Sequence, residues 1–377
     1  MQRGRLDLVL PDGRHFRAEG ADTGPVAELR IANPDVFARL IREGDLGFCD
    51  AYLDGWWDTP DLLAFLDLMH ANEELFDGFP GMSLVRAYER LRFWLNSNSK
   101  AQAKRNISYH YDLGNDFYGL WLDDTMTYSS ALFETGQESL EKAQIAKYAS
   151  MLDQMEVKPG DHVLEIGCGW GGFAEYAARE RGVKVTGLTI SSEQLRYAQE
   201  RIARAGLSDR VELKLQDYRD ETGQYDGIAS IEMFEAVGEK YWPVYFDTLR
   251  NRLRPGKTAT LQIITVQDAR WETYRKGVDF IQKYIFPGGM LPSRTALVGE
   301  IERAGLSILR SVEFGESYSQ TLRRWHETFN ARWDEVAEMG FDDRFRRMWN
   351  FYLTSCAATF HSGNCDVTQI TLRRPVS

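Results

Sequence analysis

The chain has 377 residues with 43% hydrophobic and 12% aromatic content, enough for one large or two smaller domains around a substantial core. A formal net charge of −11 argues against nucleic acid as a partner. No run approaches ~18 apolar residues, so no membrane-spanning helix is expected, and Cys49, Cys168, Cys356 and Cys365 show no C-x-x-C spacing, so they read as reduced thiols of a cytoplasmic protein with no metal site.

The opening residues, Met1 to Asp7, carry no apolar stretch of the kind a signal peptide has. Residues 1–33 read as short strands and turns, with Pro11-Asp-Gly13 as a turn signal. A helix over Val36–Glu43 is predicted, capped by Asn33 or Asp35 and ended by Gly44, and a second amphipathic helix over Asp61–Met69. Between residues 82 and 105, Arg86, Arg90, Arg92, Lys100, Lys104 and Arg105 face only Glu89, interleaved with Leu84, Tyr88, Phe93 and Trp94. Such a segment is either the solvated face of a packed helix or a helix that lies on lipid. Asn96 to Arg105 is a polar linker, which sets a boundary between an N-terminal domain, 1–105, and a second domain, 106–377.

Residues 108–133 mix aromatic and polar side chains in the manner of a segment that covers a ligand, and Leu140–Met155 reads as a helix. The organising stretch is residues 161–172. Val163, Leu164 and Ile166 form a buried strand, and Gly167, Gly169, Gly171 and Gly172 form a tight turn into a helix. Strand, glycine turn and helix N-terminus together make a nucleotide-type site. A dinucleotide site wants an acid at the end of the following strand. Here Val183–Thr189 ends in neutral Thr189, and the acid, Glu165, lies in the first strand. Ser191 and Gln194 have capping-box spacing on the next helix.

Further strands are predicted at Val211–Leu215, Tyr225–Ile231 and Lys257–Val266. Their alternation with helices implies a parallel, doubly wound α/β sheet, with ligands at the carboxyl edge where Gly167, Thr189, Asp217, Glu232 and Thr265 fall. Ser307–Phe314 and Asp366–Leu372 look like a closing strand pair, with helices from Tyr318 to about His361 between them.

The glycine turn with Glu165 resembles class I S-adenosylmethionine (SAM) methyltransferases. His110–Asp116, Leu164–Gly172, Gly187–Ser191, Gln216–Tyr218, Met233–Glu235, Tyr284–Gly289 and, in the N-terminal domain, Leu46–Trp57 together resemble the cyclopropane fatty acid (cyclopropane-fatty-acyl-phospholipid) synthases and their mycolic acid methyltransferase relatives. The resemblance implies a Rossmann-like sheet with lipid-binding helical insertions, plus a smaller, mainly helical N-terminal domain. It implies transfer of the SAM methyl carbon to the cis double bond of an unsaturated phospholipid acyl chain, on a homodimer peripheral to the inner membrane face. Cofactor contacts fall on Tyr128, Ser129, Glu165, Gly167, Gly169, Thr189, Gln194, Asp217 and Tyr218. The catalytic positions are Glu235, Tyr318 and Ser130, around a bicarbonate that acts as base. Two positions depart from the family. It has cysteine where this chain has Ser130, and a histidine near the end of the fifth strand where Ile264, which cannot donate a hydrogen bond from its side chain, is read here. That puts bicarbonate and ring closure in question. A methyl-branched unsaturated product is the alternative, and a non-catalytic SAM-binding regulator and an NAD-linked lipid oxidoreductase are the other classes.

Overall fold

The computed structural model describes residues 1–73 and 113–376, and between them positions 89, 90, 93, 98–100, 102, 103, 105 and 106. The basic segment expected to meet lipid lies largely outside the described residues, as does the start of the His110–Asp116 motif.

Strands β1 (Arg3–Val9), β2 (His15–Glu19), β3 (Asp22–Ile31) and β4 (Trp57–Asp58) form a sheet in the order β2-β1-β3-β4. Helices Asp35–Glu43, Asp45–Leu53 and Leu62–Ala71 accompany it. Gly44, at φ 68°, separates the first two. Asp61 caps the third by accepting from the Ala64 amide at 3.0 Å. The N-terminal part of the chain, expected to form a mainly helical domain, is mixed sheet and helix among its described residues. The short strands forecast for residues 1–33 pair with each other and with Trp57–Asp58, which local pattern could not show.

The larger sheet contains β5 (His162–Ile166), β6 (Lys184–Thr189), β7 (Val211–Leu215), β8 (Tyr225–Ile231), β9 (Leu253–Val266), β10 (Ser307–Glu313) and β11 (Cys365–Arg373), in the order β10-β11-β9-β8-β5-β6-β7. β5 to β9 are parallel, and β10 and β11 close the sheet antiparallel. β9 begins at Leu253 rather than Lys257 because Leu253 already pairs with Tyr225. The central strands are covered on both faces, so Val163, Leu164 and Ile166 are buried as a run. Chain order reverses at β5, which lies between β6 and β8. The crevice at such a reversal is where open α/β sheets bind ligands. It sets the glycine turn after β5 beside the end of β8.

One apolar core spans both parts of the chain. Trp57, Phe65 and Leu68 pack in the same cluster as Trp325, Trp349 and Phe351. The Tyr52 ring lies 5.5 Å from that of Phe351, and the Arg347 guanidinium lies 4.0 Å over Tyr52. Among the described residues no helix is long and apolar enough to cross a membrane.

Candidate active site

β5 delivers the chain into its glycine turn with Gly167 at φ 85° and Gly169 at φ 50°, both in the region that favours glycine. A Cβ on Gly167 would meet Met233 at 2.9 Å, so packing also requires glycine there. A Cβ on Gly169 would meet nothing within 4 Å, which leaves bare backbone facing a cavity of ≈ 950 Å³. That volume is near the top of the range of about 300–1,000 Å³ for small-molecule sites.

Every expected cofactor residue lines this cavity: Tyr128, Ser129, Glu165, Gly167, Gly169, Thr189, Gln194, Asp217 and Tyr218. Ser191 caps its helix through the Gln194 amide at 3.3 Å, but the Gln194 side chain does not complete a capping box. Its Oε1 accepts instead from the Thr189 hydroxyl at 3.0 Å, which ties the end of β6 to the helix start. The Asp217 carboxylate accepts from Arg219 at 2.7 and 2.6 Å. Burial pushes Asp217 up, but the Arg219 hydrogen bonds outweigh it and hold the carboxyl below its ordinary range. Glu165 is 3% exposed, and burial pushes it up to about 8 against a partial offset from Lys147. Its Oε2 finds no hydrogen-bond partner among the described residues. A buried, unpartnered carboxyl beside bare glycine backbone suits a ligand that carries positive charge, as the sulfonium and ammonium of SAM do.

The second half of the cavity departs from expectation at Glu232, Ser130 and Gln262. Glu232, immediately after β8, sits at φ 49°. Its Oε1 accepts from the Ser130 amide at 2.8 Å and from Gln262 Nε2 at 2.8 Å, and its Oε2 accepts from the Tyr318 hydroxyl at 2.6 Å. The amide and hydroxyl expected to hold bicarbonate thus hold a carboxylate of the chain itself. With Glu232 as their acceptor these donors are not left for bicarbonate, whose place the departures at Ser130 and Ile264 had already put in question. Ser130 contributes its amide alone, because its hydroxyl donates to the Ala131 carbonyl at 2.9 Å. The donor sought at Ile264 comes from Gln262, two residues earlier on the same face of β9. Ile264 gives only its backbone amide, to Glu235 Oε1 at 2.6 Å.

Glu235 lines the cavity, and its Oε2 finds no partner among the described residues. Burial, then the Glu232 charge, push it up to about 8, so it is mainly protonated at neutral pH. Burial also raises Glu232, but the Tyr318, Gln262 and Ser130 donors and the Lys147 charge all favour its ionised form. Both carboxyls are therefore raised, and what separates them is that Glu232 meets three donors while one Glu235 oxygen meets none among the described residues, an arrangement in which Glu232 can serve as the proton acceptor.

Sequence reasoning also missed Lys147, which is fully buried and donates to Ser129 Oγ at 2.7 Å. Burial brings it down to about 7. The signal was present: Ala143, Lys147 and Met151 share the buried face of the helix Leu140–Met155, at i, i+4 spacing. A lysine on such a face needs a polar partner. Glu232 carried the same signal as Glu165, an acid at the carboxyl edge of a buried strand. The cavity wall adds aromatic faces: Tyr318 stacks on Phe360 at 4.5 Å, and the Tyr128 and Tyr352 hydroxyls meet at 2.6 Å.

Residues 98–370 match the family described as mycolic acid cyclopropane synthetase. The chain is 40% identical to tuberculostearic acid methyltransferase UfaA1 of Mycobacterium tuberculosis, over 98% of this chain and 88% of that protein. It is 38% identical to the cyclopropane-fatty-acyl-phospholipid synthase of Escherichia coli, over 93% of this chain and 88% of that protein. Among solved structures, mycolic acid cyclopropane synthase CmaA1, complexed with SAH and CTAB, superposes with a TM-score of 0.67 at 31% identity, covering 71% of this chain and 97% of that one.

Proposed function

The chain belongs to the mycolic acid cyclopropane synthetase family of SAM-dependent methyltransferases, and we propose that it transfers the SAM methyl carbon to the cis double bond of an unsaturated phospholipid acyl chain, with Glu232 as the proton acceptor. One observation carries this reading: the Glu232 carboxylate held by the Ser130 amide, Gln262 and Tyr318 in a cavity that also presents the aromatic rings of Tyr128, Tyr318 and Tyr352. A non-catalytic SAM-binding protein has no need for a buried carboxylate so fixed.

When bound, SAM supplies an electrophilic methyl group. Glu165, Asp217, Thr189, Gln194 and the Gly167–Gly169 backbone would hold it, and the unpartnered Glu165 oxygen supports that fit. Attack by an alkene leaves positive charge on the acyl chain, which the faces of Tyr318 and Tyr128 and the nearby Glu232 charge stabilise. Glu232 then takes the proton, while protonated Glu235 adds no second charge to the cage.

Loss of the proton from the transferred methyl, with a bond to the neighbouring chain carbon, gives a cyclopropane, which the family favours. Loss of a chain proton instead gives a methyl-branched alkene, and the similarity to a tuberculostearic acid methyltransferase supports this second reading. Incubation with methyl-labelled SAM and unsaturated phospholipid vesicles tests both. Proton NMR of labelled lipid separates them: upfield ring protons without an alkene mark the first, and a surviving double bond beside a methyl branch marks the second. Measurable SAM binding with no label in lipid overturns both and leaves the regulator.

A further inference from the structure

The cavity has a polar end that methyl transfer does not use. Beyond Ile264 and Val266 its wall follows the helix Asp268–Tyr274, and His70, Glu73, Arg270 and Asn364 line it there. The Arg270 guanidinium pairs with the Glu73 carboxylate, with both side chains about a third exposed, at 36% and 33%. The Asn364 amide nitrogen donates to Glu73 Oε2 at 3.2 Å and meets His70 Nδ1 at 3.1 Å. An amide nitrogen only donates, so His70 Nδ1 accepts and Nε2 carries the proton. Burial lowers the His70 pKa below its ordinary value, so the ring is a neutral donor at pH 7.

The partly exposed cluster and the buried Glu232 cage thus line one cavity. Six residues separate Ile264 from Arg270, so the two lie no more than about 20 Å apart. A mid-chain double bond in a bilayer lies roughly 8 Å below the polar boundary, half the depth of one leaflet. A lipid whose double bond reaches Tyr318 therefore has its head group within reach of the cluster. The cluster offers both signs of charge on the cavity wall. Arg270 matches a phosphodiester through its planar fork, and Glu73 matches an ammonium. An anionic head group without an ammonium would face Glu73 unpaired.

We propose that His70, Glu73, Arg270 and Asn364 form a head-group subsite that takes a zwitterionic phosphodiester, with Arg270 on the phosphate and Glu73 on the ammonium. This rests on the phospholipid reading above. Seated there, the head group replaces the Arg270–Glu73 pair with two pairs of its own. Because His70 and Glu73 come from the N-terminal domain, the subsite gives that domain a direct part in choosing the substrate.

The test uses the full-length protein, mixed micelles and phospholipids with identical unsaturated chains but phosphoethanolamine or phosphoglycerol heads. Wild type should show the lower KM for the phosphoethanolamine lipid. Arg270→Gln should raise KM about ten-fold for both lipids, the scale of one lost charge-assisted contact, with kcat unchanged, and Arg270→Lys should recover part of it. Glu73→Gln should raise KM for the phosphoethanolamine lipid alone and so abolish the preference. Glycerophosphoethanolamine should compete more strongly than inorganic phosphate; equal competition would reduce the site to one for free phosphate and overturn the head-group assignment. Loss of activity on both lipids in step with a lowered melting temperature, in Glu73→Gln as in Arg270→Gln, would make the pair a clamp between domains and overturn the proposal. Wild type that labels neither lipid would overturn the phospholipid reading itself.

Discussion

Glu232→Gly is the perturbation that separates a built-in proton acceptor from a structural acid. Glu232 sits at φ 49°, a conformation glycine adopts freely, so the backbone should tolerate the change. The substitution removes the carboxylate but leaves the Ser130 amide, Gln262 Nε2 and the Tyr318 hydroxyl converging on one point. Loss of a positioned general base lowers the rate by roughly 10²–10⁴, or about 2.7–5.5 kcal/mol in the barrier. A buried donor without an acceptor costs about 1–3 kcal/mol, so the emptied cage should recruit a small anion. Bicarbonate or formate should then restore activity to Glu232→Gly in a saturable way. Glu232→Gln keeps the side-chain volume, blocks the cage and should stay inactive with either anion. The assay is the initial rate of label transfer from SAM to phospholipid, against anion concentration at fixed pH. The reasoning fails if Glu232→Gly keeps more than half the wild-type rate without added anion, or if Glu232→Gln is as active as wild type.

Tyr318→Phe removes one donor from the Glu232 carboxylate, which lowers kcat and moves the acidic limb of the pH profile upward, because that hydrogen bond lowers the Glu232 pKa; an unmoved limb would contradict it. Glu165, raised to about 8 by burial, should bind a cationic ligand better when ionised. SAM affinity measured by calorimetry should therefore rise with pH through 8, and Glu165→Gln should flatten that rise. In the ligand-free protein the raised pKa has the opposite consequence: its contribution to stability is complete below the unfolded value and is lost as pH rises to about 8, which melting curves of wild type and Glu165→Gln would reveal. Gly169→Ala places a methyl group in the cavity at φ 50° and should abolish SAM binding, with a stability loss of about 1–2 kcal/mol in denaturant titration. Trp57→Ala removes a fully buried ring that stacks on Phe48 at 4.5 Å and donates to the Phe48 carbonyl at 2.8 Å, so unfolding free energy should fall by about 3–5 kcal/mol.

Much of the part of the chain that carries the larger sheet was legible in local pattern. The strand, glycine turn and helix at 161–172, the strands β5 to β9 and the closing pair β10 and β11 all follow from apolar runs and turn residues a few positions apart; their order in the sheet does not. Their burial and their place at the carboxyl edge follow in turn from the alternation of strand and helix. Thr189 and Asp217 fall at the carboxyl edge by pattern, Glu165 and Gln194 are placed at the cofactor site through the family resemblance, and all four line the cavity. The choice of Glu232 over Glu235 as the proposed proton acceptor could not be read this way. Glu232 and Glu235 are three residues apart, and what tells them apart is which donors each meets. Those donors, Ser130 and Tyr318, lie 102 and 86 residues from Glu232 in sequence. The same holds for Gln262, which takes the role sought at Ile264, and for Ser130, whose hydroxyl turns away to Ala131. The sheet of the N-terminal domain was hidden for a related reason, since β4 is two residues long and exists only through its pairing with β3. Sequence by itself determined which elements form and which edge of the sheet carries the site, because periodicity and turn chemistry act over a few residues. Tertiary structure alone decided which carboxylate meets hydrogen-bond donors and which residues surround it, because desolvation and hydrogen-bond partners come from chain segments that only the fold brings together.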